Sequence, residues 1–492
     1  MNKKRKAISI ILGLGCILSY NTINAQNTQK LSLQQVVELA QKQSPAAKLA
    51  GTQYSNKYWQ YRSFKANYKP QLALNGTLPD LTRSYQSITQ NDGTDAFKLR
   101  SIANSSLDLS LSQNISFTGS EVFMSSQIQR IDILNAPTSV NYLASPAIIG
   151  IRQPLFKFNN LKWNSRIEPL RYEESKKKYV EDMENVSIQA SEIFFNLLIA
   201  QITFRIEQKN LANNDTLYQI SKGRYQLGKI AENELLQMQL SVMNAQNSLS
   251  QAQLDVELGT QRLKNFLKMS GADKIELEEP TLIPQFFVDE KIALQEATKN
   301  RQQIVEFERQ RLEAERDVAR AKGDNRLNAD ITASYGLTNS APLLNSVYLN
   351  PQEQQRIRVG FEIPIVDWGR AKSEIRTAQA NKELIETTIE QAQQTFDQEI
   401  YLLVKQFNMY RQKLVISAKS DTIAQKRYDI TVKRYMIGKI DIVDLNIALQ
   451  EKDQAKLGNL QALRTFWNTY FELRRKTLYD FQQNIPILYT IK

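Results

Sequence analysis

Two hydrophobic periods divide this chain. Apolar or small residues fall at Tyr179, Met183, Val186, Ala190, Ile193, Leu197, Ala200 and Phe204. Steps alternating between three and four residues predict a helix with one continuous packing seam. Ile389, Phe396, Ile400, Leu403, Phe407, Tyr410 and Leu414 repeat that seam 210 residues later. No proline interrupts Leu170 to Lys268 or Gly369 to Asn484. Each long helix is therefore expected to run about 65 residues, or ~100 Å at 1.5 Å per residue. Gly228 and Gly438 end them, because glycine readily takes the left-handed conformation that closes a helix. Helical spacing resumes at Leu235, Met238, Val242, Ala245, Leu249 and Ala252, and again at Leu445, Ala448, Ala455, Ala462 and Leu463. Each half thus carries a helical hairpin with a tight tip. Shorter helices are expected at 44–68 and 301–324.

Between the short and long helices the period falls to two. Leu107, Leu109, Leu111, Ile115 and Phe117 alternate with polar residues, the mark of a strand with one apolar face. Residues 72–78 and 121–131 read similarly but less cleanly, as do 327–337 and 356–366. Two motifs tie the halves together at one offset. Gly150-Ile151-Arg152-Gln153-Pro154-Leu155-Phe156 matches Gly360-Phe361-Glu362-Ile363-Pro364-Ile365-Val366, and Arg224-Tyr225-Gln226-Leu227-Gly228-Lys229-Ile230 matches Arg434-Tyr435-Met436-Ile437-Gly438-Lys439-Ile440. Each half reads as helix, strands, long helix, tip and return helix. The interval from Leu72 to Pro154 is longer than that from Leu327 to Pro364. It has room for two long strands with an external loop, or for an extra hairpin, and the pattern is compatible with both.

The first residues add an address. Lys3, Lys4, Arg5 and Lys6 precede an apolar run from Ile8 to Leu18, and Ile23-Asn24-Ala25 resembles a cleavage site. That is a secretory leader over 1–25; lipidation at Cys16 is the alternative. The first repeat then covers 26–284, with strands at about 70–156 and a helical hairpin at about 160–268. The second covers 285–480, with strands at about 327–366 and a hairpin at about 370–480, and 481–492 form a tail. Beyond the leader no unbroken apolar run reaches the length of a membrane-spanning helix, whereas barrel strands leave only a weak hydropathy signal. The formal charge is +12, or 12 − 4 = +8 without the leader. It is dispersed, so a nucleic-acid partner is not expected. The chain has no His, and its only Cys is Cys16. Ser-His and Cys-His nucleophile pairs are therefore excluded. No metal, cofactor or catalytic residue is expected.

Alternating strands in an exported chain suit a membrane β-barrel with lipid on one face and water on the other. A barrel must close, and four strands cannot enclose a lumen, so several chains must contribute. The alternative is a periplasmic coiled-coil scaffold or adaptor without a barrel.

From Leu31 to Leu478 the chain resembles the TolC-like outer-membrane efflux protein family. The resemblance rests on Leu33 to Pro45, Gln153-Pro154-Leu155-Phe156, Pro364 to Arg370 and the paired Arg-Tyr-x-x-Gly-Lys-Ile tips. It implies a mainly helical fold with a membrane β-barrel part. It further implies a homotrimer, with four strands per protomer in a twelve-stranded barrel and a tapering periplasmic α-barrel. Such a channel of a tripartite efflux or type I secretion system passively conducts drugs, solutes or proteins. It receives them from an inner-membrane pump of RND or ABC type through a periplasmic adaptor, and it sits in outer-membrane lipid.

The resemblance also implies residue roles. Gly438 and Gly228 match the tip glycine, Tyr435 the tyrosine that holds the closed state, and Asp444 the first gate carboxylate. The repeat offset puts Tyr225 and Glu234 at the equivalent points of the first half. A second gate carboxylate is missing, since Ile447 stands there, and Ile440 replaces a frequent arginine. Threefold symmetry would gather Asp444 and Glu234 into carboxylate rings that favour cations; the plainer reading is an acidic first turn complementing the helix dipole. Lys229 and Lys439 either meet the adaptor or offset a C-terminal dipole. Arg224 and Arg434 form tip ion pairs or a solvated face. Trp163, Trp368, Tyr142 and Phe156 form either an interfacial aromatic belt or packing at a strand–helix bend, where Pro154 and Pro364 also lie.

Overall fold

The computed structural model describes residues 28–90, 92–135, 137–270, 274–281, 283–284 and 286–489. The expected leader and Cys16 lie outside the described residues. In chain order the elements are β1 (Thr28–Leu31), α1 (Leu33–Gln43), α2 (Pro45–Ala66), β2 (Gln71–Thr89), β3 (Asp95–Ile115), β4 (Ser120–Ile133), β5 (Ser139–Leu155), α3 (Asn160–Gln226), α4 (Glu232–Leu267) and β6 (Lys274–Leu277). Then follow α5 (Glu290–Asn300), α6 (Gln302–Asp324), β7 (Asn328–Ala341), β8 (Gln352–Glu362), α7 (Arg370–Met436), α8 (Ile442–Thr477), β9 (Tyr479–Asp480) and β10 (Ile485–Pro486). Two compact units share them, one of Met1–Glu38 with Ile193–Leu282, the other of Leu39–Glu192 with Ile283–Lys492.

The 210-residue offset governs the helices. α3 and α7 are 67 residues each, and α4 and α8 are 36 each. Every bound of the first pair returns in the second shifted by 210. The heptad seam is buried along most of α7, at Ile389, Phe396, Ile400, Leu403, Phe407 and Leu414, and half of it on α3, at Met183, Val186, Ala190 and Leu197, with Tyr179, Ile193, Ala200, Phe204 and Tyr410 half-buried. α3 contains a stretch that is long and apolar enough on average to cross a bilayer, although no unbroken apolar run, and half of it is buried within the chain. Phe194, Phe195, Leu197 and Leu198 on this helix are fully buried, so side-chain packing accounts for its apolar character.

In the smaller unit β1 and β6 pair in parallel. Gln201 of α3 clamps them, its amide donating to the Ile275 carbonyl at 2.7 Å and its oxygen accepting from the Leu277 N–H at 3.0 Å.

The larger unit holds one six-stranded sheet of order β2-β3-β4-β5-β7-β8, antiparallel throughout. The expectation of four strands per chain is therefore corrected to six, with β3 and β4 paired on both sides. A bulge explains why β5 was hard to read. Between its pairs with Gln127 and Ser125 of β4 it runs three residues, from Ser145 to Ile148, against two, and the extra residue resets its in–out alternation. β2 carries a second shift between Thr77 and Asp80, where Pro79 is tolerated on an edge strand.

Cross-strand partners share a face, so the register sorts the side chains. One face carries Leu72 and Leu74 of β2, Leu107, Leu109 and Leu111 of β3, Met124 and Ile128 of β4, Ile149 and Ile151 of β5, Tyr335 of β7 and Ile357, Val359 and Phe361 of β8. The other carries Asn75, Ser106, Asp108, Ser110, Gln127, Arg152, Thr332, Ser334, Arg356 and Arg358. A scaffold without a barrel gives no reason for such a sheet.

Gly150 lets the strands approach. A Cβ there would stand 2.8 Å from the Ala333 carbonyl oxygen and would clash with the Phe123 ring. Gly150→Ala must push β5 from β7, because a backbone oxygen cannot rotate away. Overpacking of this kind costs about 1–3 kcal/mol. The variant should lose heat resistance in semi-native electrophoresis of detergent extracts; an unchanged midpoint would show that the strands yield freely.

Candidate functional site

Each tip is built from backbone. In the smaller unit Gly228 sits at φ +65°, and its N–H donates to the Tyr225 carbonyl at 2.9 Å. The Lys229 N–H closes the turn on Arg224 at 2.9 Å. In the larger unit Gly438 takes φ +72°, and Gly438 and Lys439 donate to Tyr435 and Arg434 at 2.9 and 3.0 Å. A Cβ at either glycine meets nothing within 4 Å, so the demand for glycine is conformational.

The tips differ in their side chains. Tyr435 is 5% exposed and Tyr225 41%. Asp444 lies exposed in the first turn of α8, and its N–H donates to the Asp441 carboxylate at 2.9 Å. Asp441 is the N-cap of α8, an orphan-donor role that aspartate fills well. The sequence reading missed it, although Asp-Ile-Val-Asp just after a tip glycine is a capping pattern. Glu232 and Glu234 occupy the first turn of α4, whose cap Ala231 has no side-chain acceptor. The tips lie in separate compact units.

The strand–helix junction is the second expected region. Pro154 lies within β5, two positions past Arg152, the last β5 residue paired with β4, and opposite Asp330 of β7. It therefore removes no donor from the β4 ladder. Pro364 lies in the short link from β8 to α7. There Trp368 has φ +55° and is 96% exposed. Asp367 caps α7, accepting from the Gly369 and Ala371 N–H groups at 2.9 Å each. The Ala371 and Gly369 bonds hold its carboxyl below the ordinary value. Trp163 sits half-buried in the first turn of α3 with the Arg166 guanidinium 5.5 Å from its ring centre. The repeat-equivalent of Trp368 is Phe158, whose backbone stands 3.0 Å from where a Gly323 Cβ would be. One aromatic of that pair is packed and the other is open.

The family model for outer membrane efflux proteins matches residues 60–267 and 293–475. The chain belongs to the outer membrane efflux protein family. It is accordingly an efflux channel of the outer membrane. No curated protein sequence matches the chain. Solved structures do. The Campylobacter jejuni CmeC outer membrane channel is 16% identical with a TM-score of 0.65, covering 93% of this chain and 87% of its own. The open state of the Neisseria gonorrhoeae MtrE outer membrane channel is 15% identical with a TM-score of 0.61, covering 94% and 90%. The Vibrio cholerae outer membrane protein VceC is 13% identical with a TM-score of 0.64, covering 90% and 95%. At these identities the likeness is one of fold.

This outer membrane efflux protein also contains a buried polar cluster that the sequence reading did not find. Glu184 on α3 is fully buried. The Arg474 guanidinium of α8 donates to both its oxygens at 3.0 Å, and Arg474 also pairs with Asp480. The Tyr489 hydroxyl donates to Glu184 at 2.5 Å, while Gln41 of α1 donates to Tyr489 and Ser187 at 2.8 Å each. Burial opposes the Arg474 charge, but the Glu184 hydrogen bonds outweigh it and the guanidinium holds its proton more tightly than usual. Burial, then the Glu184 charge, pushes the Tyr489 hydroxyl above its ordinary value. The cluster fixes the C-terminal segment to α1, α3 and α8.

Proposed function

We propose that three copies assemble into one duct that crosses the outer membrane and continues through the periplasm as a helical tube. The duct passively passes drugs, other solutes or proteins from an inner-membrane pump of RND or ABC type, received through a periplasmic adaptor, and has no catalytic step. The observation that carries this reading is the open six-stranded sheet. Its apolar face suits lipid, its polar face suits a water-filled lumen, and its edges cannot stay unpaired in a bilayer. Helices of ~100 Å support the periplasmic extension.

In this reading Gly228, Lys229, Gly438 and Lys439 form the adaptor-docking tips. Asp444 and Tyr435 at one tip, and Glu234 and Tyr225 at the other, serve the periplasmic gate. Pro154, Pro364, Trp163 and Trp368 mark the level where barrel gives way to helices. The exposed Trp368 supports an interfacial position, since indole favours the boundary between lipid and water.

The test is the native mass of the protein extracted by detergent from purified outer membranes. Three copies per particle are expected. A monomer, or absence from that membrane, would overturn the proposal.

A further inference from the structure

With six strands in each chain, the arithmetic of closure changes. β2 and β8 are the two edges of the sheet. β2 runs away from the helical end that α2 leads into, and β8 returns to the helical end that α7 leaves. An edge of one copy against the opposite edge of another is therefore antiparallel, like every other neighbour in the sheet. Their faces agree as well. Leu74 and Val359 belong to the same apolar face, and both are exposed.

The added hairpin is part of the wall. β3 is paired with β2 from Asp95 to Ser112 and with β4 from Ile102 to Ile115, and β4 with β5. The turn joining β3 to β4 is fixed at the helical end. The Asn159 side-chain amide donates to the Ser116 and Phe117 carbonyls at 2.9 and 3.2 Å. Its oxygen accepts from the Lys162 N–H at 3.0 Å, so the same side chain caps the start of α3. Gly119 turns the chain at φ +75°.

We infer that three copies close one eighteen-stranded barrel, each joining its β2 to the β8 of the next copy. The inference rests on the trimeric reading above and departs from the twelve strands that the sequence resemblance implies. Neighbouring strands lie about 4.8 Å apart and tilt about 40°. Eighteen then give a barrel about 36 Å across between backbones, against about 24 Å for twelve. Barrels of 16–18 strands leave an aqueous channel. The membrane section would not be the narrowest part of the duct, and its face, bearing Asp108, Arg152, Arg356 and Arg358, would meet cargo in hydrated form.

Two measurements test this. The only Cys is Cys16, within the expected leader, so cysteines can be introduced against a clean background. Leu74→Cys is combined in turn with Ile357→Cys, Val359→Cys and Phe361→Cys, which spans the registers available at the seam. Oxidation in isolated outer membranes should give covalent dimers and trimers and nothing larger for at least one pair, and none for the single variants. Monomer alone across the panel, in particles that remain heat-resistant, would overturn the seam. The second measurement is a density map of the detergent-extracted particle. Eighteen strands in a three-copy particle are expected. Twelve strands in a three-copy particle would overturn this inference and leave the trimeric channel standing. A particle of any other copy number would overturn the trimeric reading beneath it.

Discussion

Arg474→Met should cost the folded protein about 3–5 kcal/mol, because it strips the partner from a buried carboxylate. Glu184 has no exposed surface, and both its oxygens are engaged by Arg474. Methionine fills similar volume, so packing loss is minor and the deficit reports the charges left behind on Glu184 and Asp480. Thermal and guanidinium unfolding of the detergent-extracted protein, followed by circular dichroism, measures it. A paired Glu184→Gln, Arg474→Met variant should recover the part of the loss that Glu184 carries, since its uncompensated charge is gone, while Asp480 still lacks its Arg474 partner. A loss below about 1 kcal/mol for the single variant would mean water reaches Glu184 and the cluster is not a closed pair. The cluster also secures the C-terminal segment through Tyr489, so the variant should expose that segment to carboxypeptidase before global unfolding.

Asp444→Ala should raise conductance in planar bilayers and weaken the preference for cations. A unit charge about 4 Å from a cation contributes about 1 kcal/mol even in water. Losing a ring of such charges should therefore lower cation-over-anion preference by about fivefold or more. Cells carrying the variant should become sensitive to bulky toxic solutes that the closed end excludes. Asp441→Ala separates this from a helix effect, because Asp441 is the residue whose side chain caps α8. Fraying alone would make the two variants alike. If Asp444→Ala leaves conductance, selectivity and sensitivity unchanged, Asp444 serves only the helix dipole and is not part of a gate.

The helices were legible because their signal is redundant. Seam, glycine stop and resumed spacing each occur twice at one offset, and the bounds at Gln226 and Met436 fall two residues before the tip glycines. The sheet was half legible. β3 alternates cleanly through Leu107, Leu109 and Leu111, whereas Ser125, Ser126 and Gln127 of β4 put polar residues on both faces and β5 carries a bulge between Ser145 and Ile148. A count of strands needed the pairing itself. Among site residues, Gly228 and Gly438 were readable from backbone demands alone. Asp441 had a signal that was overlooked. Glu184 and Arg474 had none, because they stand 290 residues apart and each sits among other charges on a long helix.

An open six-stranded sheet also orders the events of biogenesis. Among the described residues, the sheet of a single chain has an apolar face and two edges, β2 and β8, with no strand paired beyond them. Unpaired edges are costly in lipid and an exposed apolar face is costly in water, so the lone chain is expected to be short-lived in both. Insertion and assembly then merge into one step whose rate depends steeply on how many copies are present. Lowering expression should therefore deplete finished channels faster than it depletes chain, leaving a protease-sensitive exported pool. Gene dosage, more than the stability of the finished particle, would limit how many ducts a cell maintains.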